Sequence, residues 1–221
     1  FAIFLRREWG RSDGLVDLGL FRSRKFTGAA IAALFNYIAL FIPVILMPYY
    51  LVEALGMSSA ATGAILSAQP VMMAIIASPA GALSDRIGAR GLAVTGMSLL
   101  AVGLFGLSGV NGSTAPVTIV LWYALGGIGI GMFVSPNTSA AMGAAPPHQQ
   151  GLAGGLLALC RIFGMLLGVA AATTLFESAG GQTGGVWGET EFAAMRLALR
   201  VAAAHALVAA VASALRGRHE A

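Results

Sequence analysis

Six long runs of apolar residues alternate with short polar segments along the chain. They cover residues 27–51, 60–82, 92–110, 116–138, 151–177 and 193–215. A helix needs about 20 residues to cross the roughly 30 Å hydrocarbon core of a bilayer, so each run is long enough or nearly so. The pattern therefore predicts an all-α membrane protein whose six transmembrane helices pack as a bundle.

The segments outside the six runs suggest how the chain is organised. We expect residues 1–26 to be a cytoplasmic connector that follows an upstream helix, residues 27–215 to be the six-helix bundle, and residues 216–221 to be a cytoplasmic tail. The chain begins with Phe1 rather than Met, so we expect an N-terminal part of the protein to be missing.

The composition agrees with solvation by lipid. Of the 221 residues, 57% are hydrophobic and only 10% are charged, too few charges to cover a soluble globule of this size. The net charge is +4, but the basic residues are scattered over short segments between apolar runs. This distribution indicates contact with a membrane surface and not with nucleic acid.

The positions of Lys and Arg predict the orientation. Ten of the 13 basic residues lie before the first run, between the second and third runs, or after the last run. The segments at the other end of the helices, around 52–59, 109–115 and 178–192, carry none. The positive-inside rule then places both ends of this chain in the cytoplasm, within a multi-pass cell-membrane protein.

A short charged segment joins the second and third runs. It reads Gly81-x-Leu83-x-Asp85-Arg86-x-Gly88-x-Arg90. A loop this short between antiparallel helices needs a turn residue, which Gly88 supplies. From the residues alone, the segment is either an ordinary basic turn on the cytoplasmic side or a functional element.

This segment resembles the signature loop of the major facilitator superfamily, which recurs after the second helix of each six-helix half. The resemblance implies that the bundle is one half of that fold, and that the other half of the same polypeptide is its partner. It also implies that Gly81, Asp85, Arg86, Gly88 and Arg90 form a conformational latch between the halves. Ala89 departs from the basic residue often found at its position.

Two further segments are similar to the fourteen-helix drug:proton antiporters of this superfamily. Residues 4–8 and 15–26 resemble the connector that enters the ninth helix, and residues 151–168 resemble the thirteenth helix. The resemblance implies proton-coupled efflux of drugs or other amphipathic small molecules by alternating access. It implies no cofactor apart from the proton gradient as the driving ion.

Three polar side chains inside the runs are candidates for a substrate or proton pathway. Arg161 falls about 15 Å into a helix that begins near Gly151, where a charge facing lipid is costly. It either faces a cavity or extends along the helix to the cytoplasmic head groups. Asn36 and Gln69 either line a polar cavity or bond across a helix contact.

Other features are assigned to structure. Glycines between 126 and 131 are spaced somewhat like a dinucleotide-binding loop, but they lie inside an apolar run, so we expect close helix packing. No metal-ligand cluster or nucleophile-base-acid set is found, so we do not expect an enzyme. Two alternatives to drug efflux stay open, namely an exporter of a metabolite or peptide and a membrane scaffold that transports nothing.

Overall fold

The six predicted helices are all present in the computed structural model, which describes residues 18–216. A short 3-10 helix, Leu18–Arg22, precedes them. The six helices are α1 (Arg24–Ala54), α2 (Ser59–Ile87), α3 (Ala89–Leu107), α4 (Pro116–Gly143), α5 (Pro147–Ser178) and α6 (Glu189–Leu215). Each is long and apolar enough to span a membrane, and the described residues contain no strand. The predicted all-α, six-helix membrane fold is confirmed.

The predicted connector and tail fall largely outside the described residues. Residues 1–17 and 217–221 are not described. Within the described part, α1 begins at Arg24, three residues before the first apolar run. Ser23 caps this helix through its hydroxyl, which accepts a hydrogen bond from the Phe26 N–H at 3.4 Å. The polar residues at this end are therefore helical rather than part of a loop.

The prolines of α1 leave that helix continuous, whereas α2 is interrupted near one of its prolines. Helix α1 is continuous through Pro43 and Pro48 and ends in a π-helical turn, Tyr50–Ala54. Helix α2 is interrupted at Ser67 and resumes at Ala68. Pro70 has no N–H with which to bond the carbonyl of Leu66, four residues earlier. The interruption of the helix at Ser67 therefore lies between this unbonded carbonyl and the proline.

Four helices form the inner part of the bundle, and two lie on its flank. Helix α3 packs against α4 and α6, and α1 packs against α6, whereas α2 packs mainly on α4 and α5 mainly on α1. In the most apolar stretch of α2 only 17% of the residues are buried, and in that of α5 only 28%, compared with 44–56% in the other four helices. The bundle thus leaves α2 and α5 with large uncovered faces.

The glycines between 126 and 131 pack helices together, as the sequence predicts. A Cβ atom at Gly127 would overlap the backbone of Gln69 in α2, and one at Gly131 would lie 2.9 Å from a backbone oxygen of the same helix. At Gly164 in α5 a Cβ would lie 2.6 Å from a backbone oxygen of α1. The flanking helices α2 and α5 are therefore seated on the inner helices by direct backbone contact.

Candidate functional site at the charged end of the bundle

The signature segment is almost entirely helical. Helix α2 runs to Ile87 and α3 starts at Ala89, so Gly88 alone lies between them. Its φ of 90° lies in the region that glycine adopts readily and other residues avoid. The expected loop is thus a one-residue turn: Asp85 and Arg86 belong to the last turn of α2, and Arg90 belongs to the first turn of α3.

The charged residues of this turn lie at the surface of one end of the bundle. Asp85, Arg86 and Arg90 are all exposed, and none forms an ion pair with another described residue. Gly81 lies deeper in α2, where a Cβ atom would be 3.1 Å from the Ser135 hydroxyl oxygen of α4. The exposed charges are free to contact another part of a larger protein, and the latch role stays a prediction.

A buried arginine at the end of α6 bonds to the backbone beside the Gly88 turn. The sequence assigned Arg216 to a cytoplasmic tail, but its side chain is only 4% exposed. Its Nη1 donates to the Asn137 side-chain oxygen of α4 at 2.6 Å, and its Nη2 donates to the Ala89 carbonyl at 3.0 Å. Arg216 therefore holds the first residue of α3, next to Gly88, against the ends of α4 and α6.

Asn137 extends this contact to the first helix. It is 2% exposed, and its Nδ2 donates to the Ala29 carbonyl of α1 at 3.0 Å. Burial, and secondarily the charge of Arg90, lowers the pKa of Arg216 to about 10, so the guanidinium remains charged at neutral pH. One charged side chain and one amide thus tie the basic ends of four helices together.

The sequence did not predict the bond between Asn137 and Arg216, for a different reason at each residue. Asn137 is a lone amide in an apolar run, the same signal that singled out Asn36 and Gln69, and it was available from the sequence. Arg216 gave no such signal, because an arginine directly after an apolar run is typical of an exposed cytoplasmic end.

Arg161 reaches back along α5 to α4. Its Nη2 donates to the Thr138 hydroxyl at 2.7 Å, and its side chain is half-buried. The α-helical part of α5 begins at Gln150, which places the Arg161 backbone about 16 Å from that helix end, whereas Thr138 is about 7.5 Å from the end of α4. The side chain therefore points toward the N-terminus of its helix, and its charge lies closer to the basic end than its backbone does.

Asn36 and Gln69 both lie within helix packing. Asn36 is fully buried, and neither its side-chain oxygen nor its nitrogen has a hydrogen-bond partner in the structure. Gln69 is 8% exposed, and its amide nitrogen lies 3.2 Å from where a Cβ of Gly126 would be. The structure brings neither of them into the charged cluster, and a role in a transport pathway stays a prediction for both.

The opposite end of the bundle is closed by an acidic and aromatic contact that the sequence did not indicate. Glu53, in the last turn of α1, accepts hydrogen bonds from the Gly184 N–H at 3.0 Å and from the Trp187 Nε1–H at 2.9 Å. The Trp187 ring packs edge-on against Tyr50 at a centroid distance of 5.9 Å. These contacts fasten the segment between α5 and α6 to the end of α1.

Comparison with known proteins agrees with this architecture. The sequence pattern described as "Major Facilitator Superfamily" matches residues 29–221, which is most of the chain. This chain belongs to the major facilitator superfamily. It is thus a multi-pass membrane protein of a transporter family rather than of an enzyme family.

Several curated relatives are 27–30% identical to this superfamily member over the aligned residues. The Clostridioides difficile "Riboflavin transporter RibZ" is 30% identical over 176 residues, covering 80% of this chain and 39% of that protein. The Streptomyces glaucescens "Tetracenomycin C resistance and export protein" is 30% identical over 178 residues, covering 80% of this chain and 33% of that protein. The Listeria monocytogenes "Lincomycin resistance protein LmrB" is 27% identical over 146 residues, covering 66% of this chain and 31% of that protein. The matched part of the chain covers well under half the length of each.

Proposed function

We propose that this chain is the C-terminal half of an exporter that carries drugs or other amphipathic small molecules across the cell membrane by alternating access, driven by inward proton flow. Membership of the superfamily supports transport. Two relatives have names that state drug resistance, and the name of one of them also states export. These names support efflux as the direction of transport.

The uncovered faces of α2 and α5 are the observation that carries the proposal. In the most apolar stretches of these helices 17% and 28% of the residues are buried, and both helices carry exposed apolar side chains. We propose that a second six-helix half packs along them and that the substrate passes between the halves. Arg161, on α5 and bonded to α4, would then stand beside that pathway.

We propose that the basic end of the bundle is cytoplasmic. Lys25, Arg86, Arg90 and Arg216 lie at this end, whereas Glu53, Glu177 and Glu189 lie at the other. A membrane-impermeant thiol reagent tests this orientation after Cys160 is replaced by serine. A cysteine introduced for Ser113 should react in whole cells, and one introduced for Arg22 should react only after permeabilisation. The reverse pattern would contradict the orientation.

The distribution of acids bears on proton coupling. Coupling needs an ionisable group whose protonation shifts the balance between inward-open and outward-open states. The carboxylates within the described spans, such as Glu53, Asp85 and Glu177, lie near helix ends. We therefore propose that the acid that carries the proton lies in the N-terminal half.

Substitution of the predicted latch acid tests the transporter function. Full-length protein carrying Asp85→Asn should lose efflux in a bacterium lacking its own exporters, while its amount in the membrane stays normal. Glu177→Gln, which removes an exposed carboxylate at the other end of the bundle, is the matched control and should retain efflux. If Asp85→Asn leaves efflux and every transport-dependent phenotype unchanged, the latch assignment fails and a scaffold becomes the better account.

A metabolite exporter is the second candidate. The name of the relative RibZ, a riboflavin transporter, favours a metabolite as the cargo, because that relative is as similar to this chain as the tetracenomycin export protein is. A full-length protein that confers resistance to no compound of a broad drug panel, yet alters the level of a cellular metabolite in the medium, would favour this candidate.

A further inference from the structure

A cavity at the basic end of the bundle has four cations in its lining. Its volume is about 1410 Å³, and it lies among the ends of α1, α2, α3, α4 and α6 around the Gly88 turn. Among residues 18–216, its lining includes the four cations Lys25, Arg86, Arg90 and Arg216, and Asp85 is the one carboxylate. The formal charge of these described lining residues is therefore +3.

No carboxylate of the described residues neutralises these cations. Asp85 forms no ion pair with any of the four in residues 18–216. Arg216 is held rigidly by Asn137 and Ala89, and these two bonds use two of the five N–H donors of its guanidinium. Burial, and after it the charge of Arg90, lowers the pKa of Arg216, so the two cations are close enough to repel each other. A cleft lined by one sign of charge attracts ions of the other sign.

The chemistry of the lining fits a phosphate group. Three guanidinium groups and one ammonium group supply donors, and Ser84, Thr95 and Ser139 add hydroxyls to the same lining. Arginine matches the spacing of phosphate oxygens through two parallel hydrogen bonds, and lysine binds phosphate as a point charge.

We propose that this cavity binds a phosphate-bearing anion, supplied either by the head group of an acidic phospholipid or by free phosphate. The cavity lies where the helices end, which is the depth at which lipid head groups meet the protein. Binding of the anion would supply the counter-charge that the lining lacks. The proposal requires no transport activity and is tested by binding alone.

The experiment compares two pairs of substitutions that each remove two positive charges at the same end of the bundle. Lys25→Gln with Arg90→Gln removes two cations of the cavity. The control, Arg22→Gln with Arg24→Gln, removes two exposed arginines outside its lining. Purified full-length proteins are equilibrated with equal amounts of phosphatidylglycerol and phosphatidylcholine, and native mass spectrometry counts the retained lipids. Thermal unfolding in sodium phosphate and in sodium chloride of equal ionic strength measures the effect of free phosphate.

For a lipid ligand, the unmodified protein should retain phosphatidylglycerol over phosphatidylcholine. The cavity variant should lose this preference by about 30-fold, at about five- to sixfold per charge, while the control keeps most of it. For free phosphate, the two lipids are retained equally, but phosphate raises the unfolding temperature of the unmodified and control proteins and not of the cavity variant.

Two results would overturn the proposal. One is an equal loss of phosphatidylglycerol preference in the cavity and control variants, which would mean that surface charge in general attracts the lipid. The other is the absence of any preference for phosphatidylglycerol together with no effect of phosphate. If the cavity variant does not fold, the neighbouring single substitutions Lys25→Gln and Arg24→Gln make the same comparison, with loss expected only for Lys25→Gln.

Discussion

Replacement of Asn137 by alanine should lower the stability of the bundle by more than the loss of so few atoms usually does, because Asn137 makes two buried hydrogen bonds. The substitution removes the acceptor of a bond from the charged Arg216 side chain, worth about 1.5–3 kcal/mol, and the donor of a neutral bond to Ala29, worth about 0.5–1.5 kcal/mol. It also leaves a buried guanidinium with one partner fewer. We therefore expect the free energy of unfolding to fall by about 3 kcal/mol.

A double-mutant cycle isolates the bond between the two side chains. Asn137→Ala and Arg216→Ala are made singly and together, and unfolding of the full-length protein is followed in mixed micelles with increasing denaturing detergent. Because both single changes break the same bond, their combined effect should be smaller than the sum by about 1.5–3 kcal/mol. Effects that add within about 0.5 kcal/mol would show that the two side chains do not interact and would refute the reasoning.

An arginine on the same helix supplies the control for this cycle. Arg200 is exposed, and its guanidinium lies 5.8 Å from the centre of the Phe105 ring. Such a surface cation–π contact is worth about 0.5–1 kcal/mol, so Arg200→Ala should cost much less than Arg216→Ala. It should also add independently to Asn137→Ala. If the coupling energy between Arg200 and Asn137 were as large as that between Arg216 and Asn137, the cycle would be measuring the general effect of a charge on α6 and not the hydrogen bond.

Three further substitutions test other contacts. Gly127→Leu should prevent α2 from seating on α4 and abolish the folded, monodisperse protein in size-exclusion chromatography, whereas Gly63→Leu, at a glycine with open space around it, should be tolerated. If Gly127→Leu and Gly63→Leu are tolerated equally, the close contact between α2 and α4 at Gly127 is wrong. Arg161→Ala should impair efflux more than Arg196→Ala, and equally small effects would remove Arg161 from the pathway. Trp187→Phe keeps an aromatic ring but removes the indole N–H that bonds to Glu53 of α1, so limited proteolysis should cut the segment between α5 and α6 faster. An unchanged cleavage rate would show that the bond does not hold the segment.

The helices could be predicted from the sequence because lipid imposes one requirement on every span. A run of apolar residues long enough to cross the bilayer must be helical to satisfy its own backbone, so the six runs identified the six helices. The helix ends were less predictable. Helix α4 continues to Gly143, five residues beyond its apolar run, because the single polar residue Ser139 does not stop a helix that goes on through the good helix formers Ala140, Ala141 and Met142. The interruption at Ser67 likewise precedes Pro70 instead of coinciding with it.

The candidate site was only partly predictable. The glycine and charged positions of the turn from Gly81 to Arg90 follow a local pattern, so the sequence located them. The bond between Arg216 and Asn137 joins residues 79 positions apart, and no local pattern carries that information. The contact of Glu53 with Trp187 spans 134 positions and escaped prediction for the same reason. Contacts of this kind depend on how the helices are arranged around one another, which periodicity alone does not determine.

Uptake into inside-out membrane vesicles tests the proposed function most directly. Vesicles that contain the full-length protein are energised to be acidic inside, and accumulation of a fluorescent amphipathic compound is followed before and after a protonophore is added. We predict accumulation that exceeds that of vesicles without the protein and that collapses when the protonophore dissipates the gradient. Accumulation that the protonophore does not change, or none for any compound of a broad panel while the protein is present in the membrane, would contradict proton-driven export.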